Sequence, residues 1–212
     1  KNLKKVCGKS LINHAAQICK SLSWIDCSIL STDDHEMAEE GKKYGLKIPF
    51  LRPKDLASDN TNSIDMWRHA WLETENKMKT KFDISILLEP TSPMRRKEDI
   101  ENCINYLIKK NHSGVATVSL MPAHFRPQKT LKINEKGMIE FYLQNDNSYS
   151  LRQNIPKYYY RNGICYALTK KKLINDKTII DESIYAMQIT REVVNIDEPF
   201  DLELAEILLN RL

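Results

Sequence analysis

Helix-like and strand-like patterns alternate along most of this 212-residue chain. The strongest strand pattern is the apolar run Ile84-Ser85-Ile86-Leu87-Leu88, which lies between helical patterns near 63–78 and 97–110. When helices separate the strands in this way, each helix crosses back over the sheet, so neighbouring strands tend to be parallel. The sequence therefore predicts an α/β fold with a mainly parallel sheet and helices on both faces.

Cap and stop signals mark the other elements of this pattern. A helix near 9–22 precedes a short apolar strand at 27–30, and the polar cluster Ser31-Thr32-Asp33-Asp34 begins a helix that ends at Tyr44, with Gly45 as its stop. Pro199 is placed as the first residue of the last helix. The remaining strands are expected at 48–51, 115–120, 163–168, 184–189 and 193–194.

Residues 121–160 interrupt the alternation. They are polar and rich in Lys, Asn and Tyr, and Gly137 is expected to lie in a turn. We interpret them as an arm inserted in a single domain that spans residues 1–212. The helical pattern begins almost at once after Lys1, without the strand and loop that an α/β fold places first, so we expect that a strand and a nucleotide-binding loop precede Lys1 in the natural protein.

Charge and cysteine usage exclude several classes of protein. Hydrophobic residues make up 42% and charged residues 28%, and the net charge of +4 is not gathered into a basic patch, which disfavours nucleic-acid binding. The run at Lys170-Lys171-Lys172 is interpreted as a solvated helix start. The five cysteines lack CxxC spacing and are expected to be reduced, which, with no signal peptide and no apolar membrane span, indicates a cytoplasmic protein.

Three polar clusters follow predicted strands directly. They are Ser31-Thr32-Asp33-Asp34, Glu89-Pro90-Thr91-Ser92 and Asn195-Ile196-Asp197. Ligands of open parallel sheets bind beyond the carboxyl ends of the strands, so the clusters are expected to converge on one site. Each also has a simpler interpretation, as a helix cap for the first and last clusters and as a turn for the second. No Walker A motif, GxGxxG motif or metal-type histidine spacing is present.

Taken in order, several motifs of the chain resemble those of the acylneuraminate cytidylyltransferases, also called CMP-sialic acid synthetases, and more broadly those of the CMP-Kdo synthetases. The resemblance covers nearly the whole chain. Its motifs are Lys1-Asn2-Leu3, Gly8-Lys9-Ser10-Leu11-Ile12, Ser31-Thr32-Asp33-Asp34, Pro49-Phe50-Leu51-Arg52-Pro53, Leu56-Ala57-Ser58-Asp59-Asn60-Thr61, Leu87-Leu88-Glu89-Pro90-Thr91-Ser92-Pro93-Met94-Arg95, Arg161-Asn162-Gly163, and Asn195-Ile196-Asp197 with Asp201-Leu202.

The resemblance implies a Rossmann-like nucleotidyltransferase that is a homodimer joined through the arm. It implies transfer of CMP from CTP to the anomeric hydroxyl of an acidic nine-carbon sugar, with Mg²⁺ or Mn²⁺ as the cofactor. By resemblance, Lys1 faces phosphate and Asn2 the nucleotide, Arg52 and Ser63 recognise cytosine, and Asp197 is the main metal ligand beside Asn195. The sugar positions are Glu89, Lys129, Arg152, Tyr160, Arg161 and Asn162.

The chain departs from the family pattern at three of these positions. Glu89 replaces a usual Gln, Tyr160 stands where an Arg is usual with Arg161 one place on, and Asn195 replaces the first Asp of an Asp-x-Asp metal pair. The first two departures concern which sugar is used, and the third concerns metal affinity. Two alternatives therefore stay open, a synthetase for the eight-carbon sugar Kdo and a catalytically weak dimeric homologue that binds a nucleotide or a sugar.

Overall fold

A computed structural model describes residues 1–58, 61–143 and 155–211. The α-helices are α1 (Leu11–Ser21), α2 (His35–Lys43), α3 (Ser63–Met78), α4 (Lys97–Lys109), α5 (Lys170–Asn175) and α6 (Pro199–Leu209). The β-strands are β1 (Lys5–Val6), β2 (Lys9–Ser10), β3 (Ile84–Leu87), β4 (Gly114–Leu120), β5 (Leu131–Ile133), β6 (Ile139–Phe141), β7 (Tyr159–Thr169) and β8 (Ile184–Gln188). The predicted helix starts at Ser63 and Pro199 are confirmed.

The central sheet has four strands in the order β3-β7-β4-β8. β3 and β4 each pair with β7 in an antiparallel direction, and β8 pairs with β4 in a parallel direction. Three strands of this sheet therefore share one direction and β7 runs the opposite way. The predicted α/β architecture is confirmed, with β7 as the exception to its parallel pattern.

Helices cover both faces of this sheet, as the alternation predicted. Val115 and Ala116 are neighbours on β4 and point to opposite faces, because successive side chains of a strand alternate. Val115 joins a buried cluster with α4, through Ile100 and Leu107. Ala116 belongs to a second cluster, which it shares with residues of α3, β7 and α5: Ile64, Trp67, Trp71, Tyr166, Leu168 and Leu173.

Three of the predicted strands are not strands of this sheet. Residues 27–30 take part only in a parallel bridge between Ile29 and Lys47, and residues 48–51 form no strand. Residues 193–194 belong to an extended segment outside the ladder, in which the Ile196 N–H donates to the Thr91 carbonyl at 2.8 Å. Val194 and Ile196 are buried while Asp197 is exposed, so this segment keeps the alternation of a strand without its pairing.

The lysine run at 170–172 is not a solvated helix start, because two of its side chains form ion pairs. Lys170 Nζ donates to Glu75 Oε1 at 2.8 Å, and Lys172 is buried against the carboxylates of Asp176 and Asp181. Buried charges require such partners, and here the partners are contributed by other parts of the chain. Lys171 alone is exposed.

The arm contains an exposed hairpin, β5-β6, whose turn includes Gly137 with a φ of +78°. The arm leaves the sheet at Leu120 and returns at Tyr159, and these two residues are paired with each other. The Met121 N–H donates to the Tyr158 carbonyl at 2.8 Å just beyond that pair. In the described ranges, no helix is long and apolar enough to cross a membrane.

Candidate functional site

Two of the three polar clusters meet at one edge of the sheet. The Ile196 N–H donates to the Thr91 carbonyl at 2.8 Å, which holds the 195–197 segment against the loop that follows β3. Ser92 Oγ lies 3.3 Å from Asn195 Oδ1 and 3.0 Å from the Asn162 carbonyl oxygen, so it joins both segments to β7. The predicted convergence is confirmed for these two clusters.

Gly163 on β7 makes this meeting possible. Its φ is +69°, a backbone conformation that residues with a side chain rarely adopt. A Cβ atom there would lie 2.4 Å from Ser92 Oγ and 2.5 Å from Glu89 Oε2. The same position is 3.4 Å from Asn195 Oδ1. Three side-chain oxygens therefore gather over a glycine, and any other residue would displace them.

Asp197 extends from this edge and binds Lys1. The Lys1 Nζ atom lies 2.9 Å from Asp197 Oδ1, and both side chains are exposed. Asp197 is not the cap of α6, because Asp201 Oδ2 accepts the N–H groups of Asp197 and Glu198, each at 2.8 Å. These two hydrogen bonds lower the pKa of Asp201. The interpretation of Asp197 as only a helix cap is therefore wrong, and its carboxylate is available to a ligand.

Glu89 is a half-buried carboxylate beside these charges. Burial raises the pKa of Glu89, while the cations of Arg95 and Arg161 act in the opposite direction. The negative charge of Asp197 adds to the increase. Glu89, Asp197 and Arg161 therefore share one electrostatic environment, as expected for groups around a charged ligand.

Arg95 fixes the backbone on which Glu89 stands. Its side chain is buried and donates to the Glu89 carbonyl at 2.8 Å, to the Gly163 carbonyl at 2.9 Å and to the carbonyl of Ile164. A buried guanidinium stabilised by carbonyl dipoles is costly to move. Arg95 therefore holds the loop after β3 in register with β7.

Arg52 and Ser63 lie together at the N-terminal end of α3. Arg52 Nη1 contacts Met66 Sδ at 3.0 Å, one turn after Ser63, and Arg52 Nε donates to Ser31 Oγ at 3.2 Å. Nη2 donates to the Ser31 carbonyl. Burial lowers the pKa of Arg52. In the first polar cluster, Asp34 caps α2 as the simpler interpretation held, while Ser31 positions Arg52.

The remaining predicted residues differ in exposure. Tyr160 and Arg161 are exposed on β7, Lys129 is exposed at the end of a short 3-10 turn, and Asn2 is half-buried with its carbonyl accepting the Ile12 N–H at 3.3 Å. Arg152 lies outside the described residues.

Asn162 is fully buried, and its side chain is engaged within the protein. Its Oδ1 accepts from Thr117 Oγ1 at 2.7 Å and from the Ile164 N–H at 3.2 Å, and its Nδ2 donates to Ser119 Oγ at 3.0 Å. A direct contact with a sugar would require these bonds to be exchanged. In this arrangement Asn162 fixes β7 to β4.

The sequence analysis missed three residues as parts of the site. Arg95 and Gly163 lie inside motifs that were noted but were given no role, whereas Ser92 belonged to a polar cluster expected at the site. Asp201 stands three residues after Glu198 with Pro199 between them, which is a capping-box spacing that would have removed Asp197 from consideration as the cap.

The family assignment comes from a comparison over the whole chain. The family model described as Cytidylyltransferase matches residues 1–211. The chain belongs to the cytidylyltransferase family. This cytidylyltransferase is therefore a nucleotidyltransferase, and the resemblance inferred from its motifs is confirmed.

Two curated relatives resemble this cytidylyltransferase over nearly its full length. CMP-N,N'-diacetyllegionaminic acid synthase of Legionella pneumophila is 29% identical over 215 residues, covering 99% of this chain and 89% of the relative. Pseudaminic acid cytidylyltransferase of Campylobacter jejuni is 27% identical over 212 residues, covering 98% of this chain and 88% of the relative. A solved CMP:2-keto-3-deoxy-manno-octonic acid synthetase complexed with CTP has a TM-score of 0.71 at 16% identity, covering 100% of this chain and 92% of that one. That last likeness concerns the fold.

Proposed function

We propose that this cytidylyltransferase transfers CMP from CTP to the anomeric hydroxyl of an acidic nine-carbon sugar of the legionaminic, pseudaminic or sialic acid type, and releases pyrophosphate. The names of its relatives support this substrate class. The observation that carries the proposal is the exposed Lys1–Asp197 pair beside Glu89, Asn195 and Arg161 at one sheet edge. At this edge Lys1 and Arg161 offer positive charges to the two anionic substrates, a polyphosphate and a sugar acid.

The reaction asks mainly for positioning and charge neutralisation. The sugar hydroxyl oxygen forms a bond to the α-phosphorus and its proton is released to solvent, while the bond from that phosphorus to the bridging oxygen breaks and the electron pair leaves with pyrophosphate. Lys1 is placed to bind phosphate oxygens as their charge grows, since its partner Asp197 is exposed and can exchange it. In this proposal the sugar lies beside β7, where Arg161 and Glu89 would orient it.

Asp197 and Asn195 are suited to hold Mg²⁺ or Mn²⁺. Both offer oxygen atoms, which are the donors these cations prefer, and Ile196 between them is turned into the core. Among the residues that the structure describes, no three His, Cys, Asp or Glu side chains form a metal site. Oxygens of the triphosphate would therefore complete the coordination. When bound, the ion would neutralise phosphate charge and polarise the α-phosphate.

Arg52 is the proposed reader of the cytosine. A guanidinium has five N–H groups, and among the residues that the structure describes three of them contact Ser31 and Met66, which leaves two for a base. Two parallel donors match the N3 and O2 acceptors of cytosine, whereas uracil presents an N–H at N3. Ser63, exposed at the start of α3, is placed to bond the same edge.

Homodimer formation is proposed to occur through the β5-β6 hairpin. Leu131 pairs with Phe141 and Ile133 with Ile139, so all four side chains lie on one face of the hairpin. Their exposures are 48%, 55%, 76% and 69% in that order. A contiguous apolar face of this kind is typical of a protein–protein contact. Lys129 and Arg152 belong to the same arm and are proposed to bind the sugar carboxylate, partly across the dimer.

A cytoplasmic location is part of the proposal. The described cysteines are free thiols, two of them buried, which fits a reducing compartment.

Pyrophosphate release from CTP tests the proposal directly. We expect release that depends on Mg²⁺ and on a nine-carbon acid, in a panel of legionaminic, pseudaminic and sialic acids with Kdo as the fourth member. Turnover with Kdo alone would support the eight-carbon alternative instead. Tight CTP binding without turnover on any acid would indicate the catalytically weak homologue.

A further inference from the structure

The side-chain oxygens gathered over Gly163 form a cradle that contains one carboxylate. Glu89 Oε2 and Asn195 Oδ1 lie 2.5 Å and 3.4 Å from the point where a Cβ atom on that glycine would stand. Asn195 and Asp197 are two residues apart in an extended segment, so their side chains leave it on the same side, and Ile196 between them is buried. Glu89 therefore faces the same space as the two residues that are suited to hold Mg²⁺ or Mn²⁺.

The other charges at this edge leave the Glu89 carboxylate without a partner among the described residues. Asp197 is paired with Lys1 at 2.9 Å, whereas the half-buried Glu89 side chain forms no hydrogen bond or ion pair with any residue in the described ranges. The buried Arg95 donates to the backbone carbonyls of Glu89 and Gly163 and not to the carboxylate. A partly desolvated carboxylate is costly to leave unpaired, so its place in the cradle indicates a bound cation.

We propose that Glu89 is a ligand of the divalent cation, together with Asn195 and Asp197. This inference rests on the proposed function, in which the cation accompanies CTP. Carboxylate oxygens are donors that Mg²⁺ and Mn²⁺ prefer. Glu89 Oε2 faces the cradle, and the other oxygen of the same carboxylate remains for a sugar hydroxyl. The residue can therefore bind the cation and still orient the sugar.

The assignment gives one physical explanation to two departures noted in the sequence. The amide of Asn195 offers an oxygen without a charge, and Glu89 supplies the missing charge from the opposite side of the cradle. The number of charged ligands is a main determinant of how tightly such cations bind. Moving the carboxylate from position 89 to position 195 should therefore leave the affinity for the cation largely intact.

Isothermal titration of the 212-residue chain with CTP, in the absence of any sugar acid, tests the assignment. The dissociation constant of CTP is measured with EDTA and again with saturating Mn²⁺, and the ratio of the two constants reports the coupling between nucleotide and cation. We expect a ratio well above one for the wild type and a ratio lower by about tenfold for Glu89→Gln. In EDTA this variant should bind CTP at least as tightly as the wild type, because one negative charge near the triphosphate is gone.

Two further variants separate direct ligation from a general effect of charge. The double variant Glu89→Gln with Asn195→Asp returns a carboxylate to the cradle and should restore the ratio to within about threefold of the wild type. Glu192→Gln removes an exposed carboxylate just before the segment that carries Asn195, and it should leave the ratio unchanged. Both substitutions at position 89 and position 195 keep the size of the side chain, so the fold should be retained.

The outcomes distinguish this assignment from the proposed function itself. An unchanged ratio in Glu89→Gln would overturn the assignment, since that is the result expected if Glu89 contacts only the sugar. A loss that the double variant does not restore, or that Glu192→Gln reproduces, would overturn it as well. A wild-type ratio of one would refute both the assignment and the role of the cation, while pyrophosphate release with the panel of acids still tests the transfer of CMP.

Discussion

At the scale of single residues, the site depends on which side chain does which task at the start of α6. Asp201 accepts both backbone N–H groups, and this leaves Asp197 free to face Lys1. Two carboxylates four residues apart are therefore expected to have separable roles, Asp201 in stability and Asp197 in the proposed ligand binding.

Asp197→Asn is expected to lower turnover by about 10²-fold, because it removes a full negative charge from the phosphate and metal region. Its free energy of unfolding should stay near that of the wild type, since Asp201 still caps the helix. Asp201→Ala is the matched control and should cost about 1 kcal/mol of stability. Steady-state pyrophosphate release and urea unfolding measure the two effects, and a large stability loss in Asp197→Asn would contradict this division.

The raised pKa of Glu89 leads to a second prediction, which concerns how stability depends on pH. Its folded-state pKa is raised, so the fold favours the protonated form, and stability is lost as the pH rises from the unfolded pKa through the folded one. Glu89→Gln removes that loss. The variant should gain stability relative to the wild type at about pH 7 and show little difference at about pH 4. Denaturant unfolding at the two pH values checks this, and a difference of the same size at both would exclude it.

At the scale of elements, α3 joins the proposed base-binding end of the molecule to a buried ion pair at its other end. Ser63 begins the helix beside Arg52, and Glu75 lies near its end. Burial alone would raise the pKa of Glu75, but hydrogen bonds from Lys170, the Phe82 N–H and Lys81 lower it to about 2. The helix is therefore tied to β3 and α5 through one carboxylate.

Acid should weaken the contacts through which Glu75 stabilises the fold. Because the folded pKa of Glu75 is about 2, its stabilisation is complete above the unfolded pKa near 4.3 and is lost as the pH falls toward about 2. Glu75→Gln should reduce the free energy of unfolding by about 2 kcal/mol at neutral pH, with a smaller penalty at pH 2. Half-buried Glu73 on the same helix offers the control, as Glu73→Gln should change little.

The N-terminal end of α3, beside Arg52, leads to a prediction about base selectivity. Arg52→Ala should reduce the preference for CTP over UTP by about 10²-fold, since a site built around a hydrogen bond discriminates strongly against the base that lacks it. Ser31→Ala, which removes one contact that positions the guanidinium, should give a smaller loss in the same direction. The ratio of kcat/KM for the two nucleotides is the measurement. An unchanged ratio in Arg52→Ala would place the base elsewhere.

The reach of sequence reasoning also differs from element to element. α3 was predicted with its exact start because Asn62 is a local cap, whose side chain accepts the Ile64 N–H. The direction of β7 was missed, because strand direction depends on pairing with β3 and β4, which are distant in sequence. The ion pair between Lys170 and Glu75 was missed for the same reason, since the two residues are 95 positions apart. At the site, motifs identified the residues, but the gathering of oxygens over Gly163 required coordinates.

At the scale of the whole molecule, the apolar face of the β5-β6 hairpin is the largest unsatisfied feature. Its four apolar side chains are exposed in the part of the chain that the structure describes, and the proposed dimer would bury them. A symmetric dimer would bury the same face on both copies.

Ile139→Lys is expected to convert the proposed dimer to a monomer in sedimentation velocity at micromolar concentration, because it places a charge in the centre of the proposed contact. The chain should remain folded, since this residue is exposed in the single chain. Ile108→Lys on α4, where the native side chain is also exposed, is the control and should leave the dimer intact. A wild-type protein that sediments as a monomer would rule out the hairpin contact.

The pairing of Leu120 with Tyr159 has a consequence for how such chains diverge. The two ends of the arm are held side by side by the sheet itself, with Met121 and Tyr158 bonded just outside it. Closing a loop whose ends already touch costs little more when the loop grows, so its length and composition are nearly free variables. Relatives could lengthen, shorten or exchange the arm while Tyr160, Arg161 and Gly163 keep their positions. Association partners and chemistry can thus evolve at different speeds within one domain.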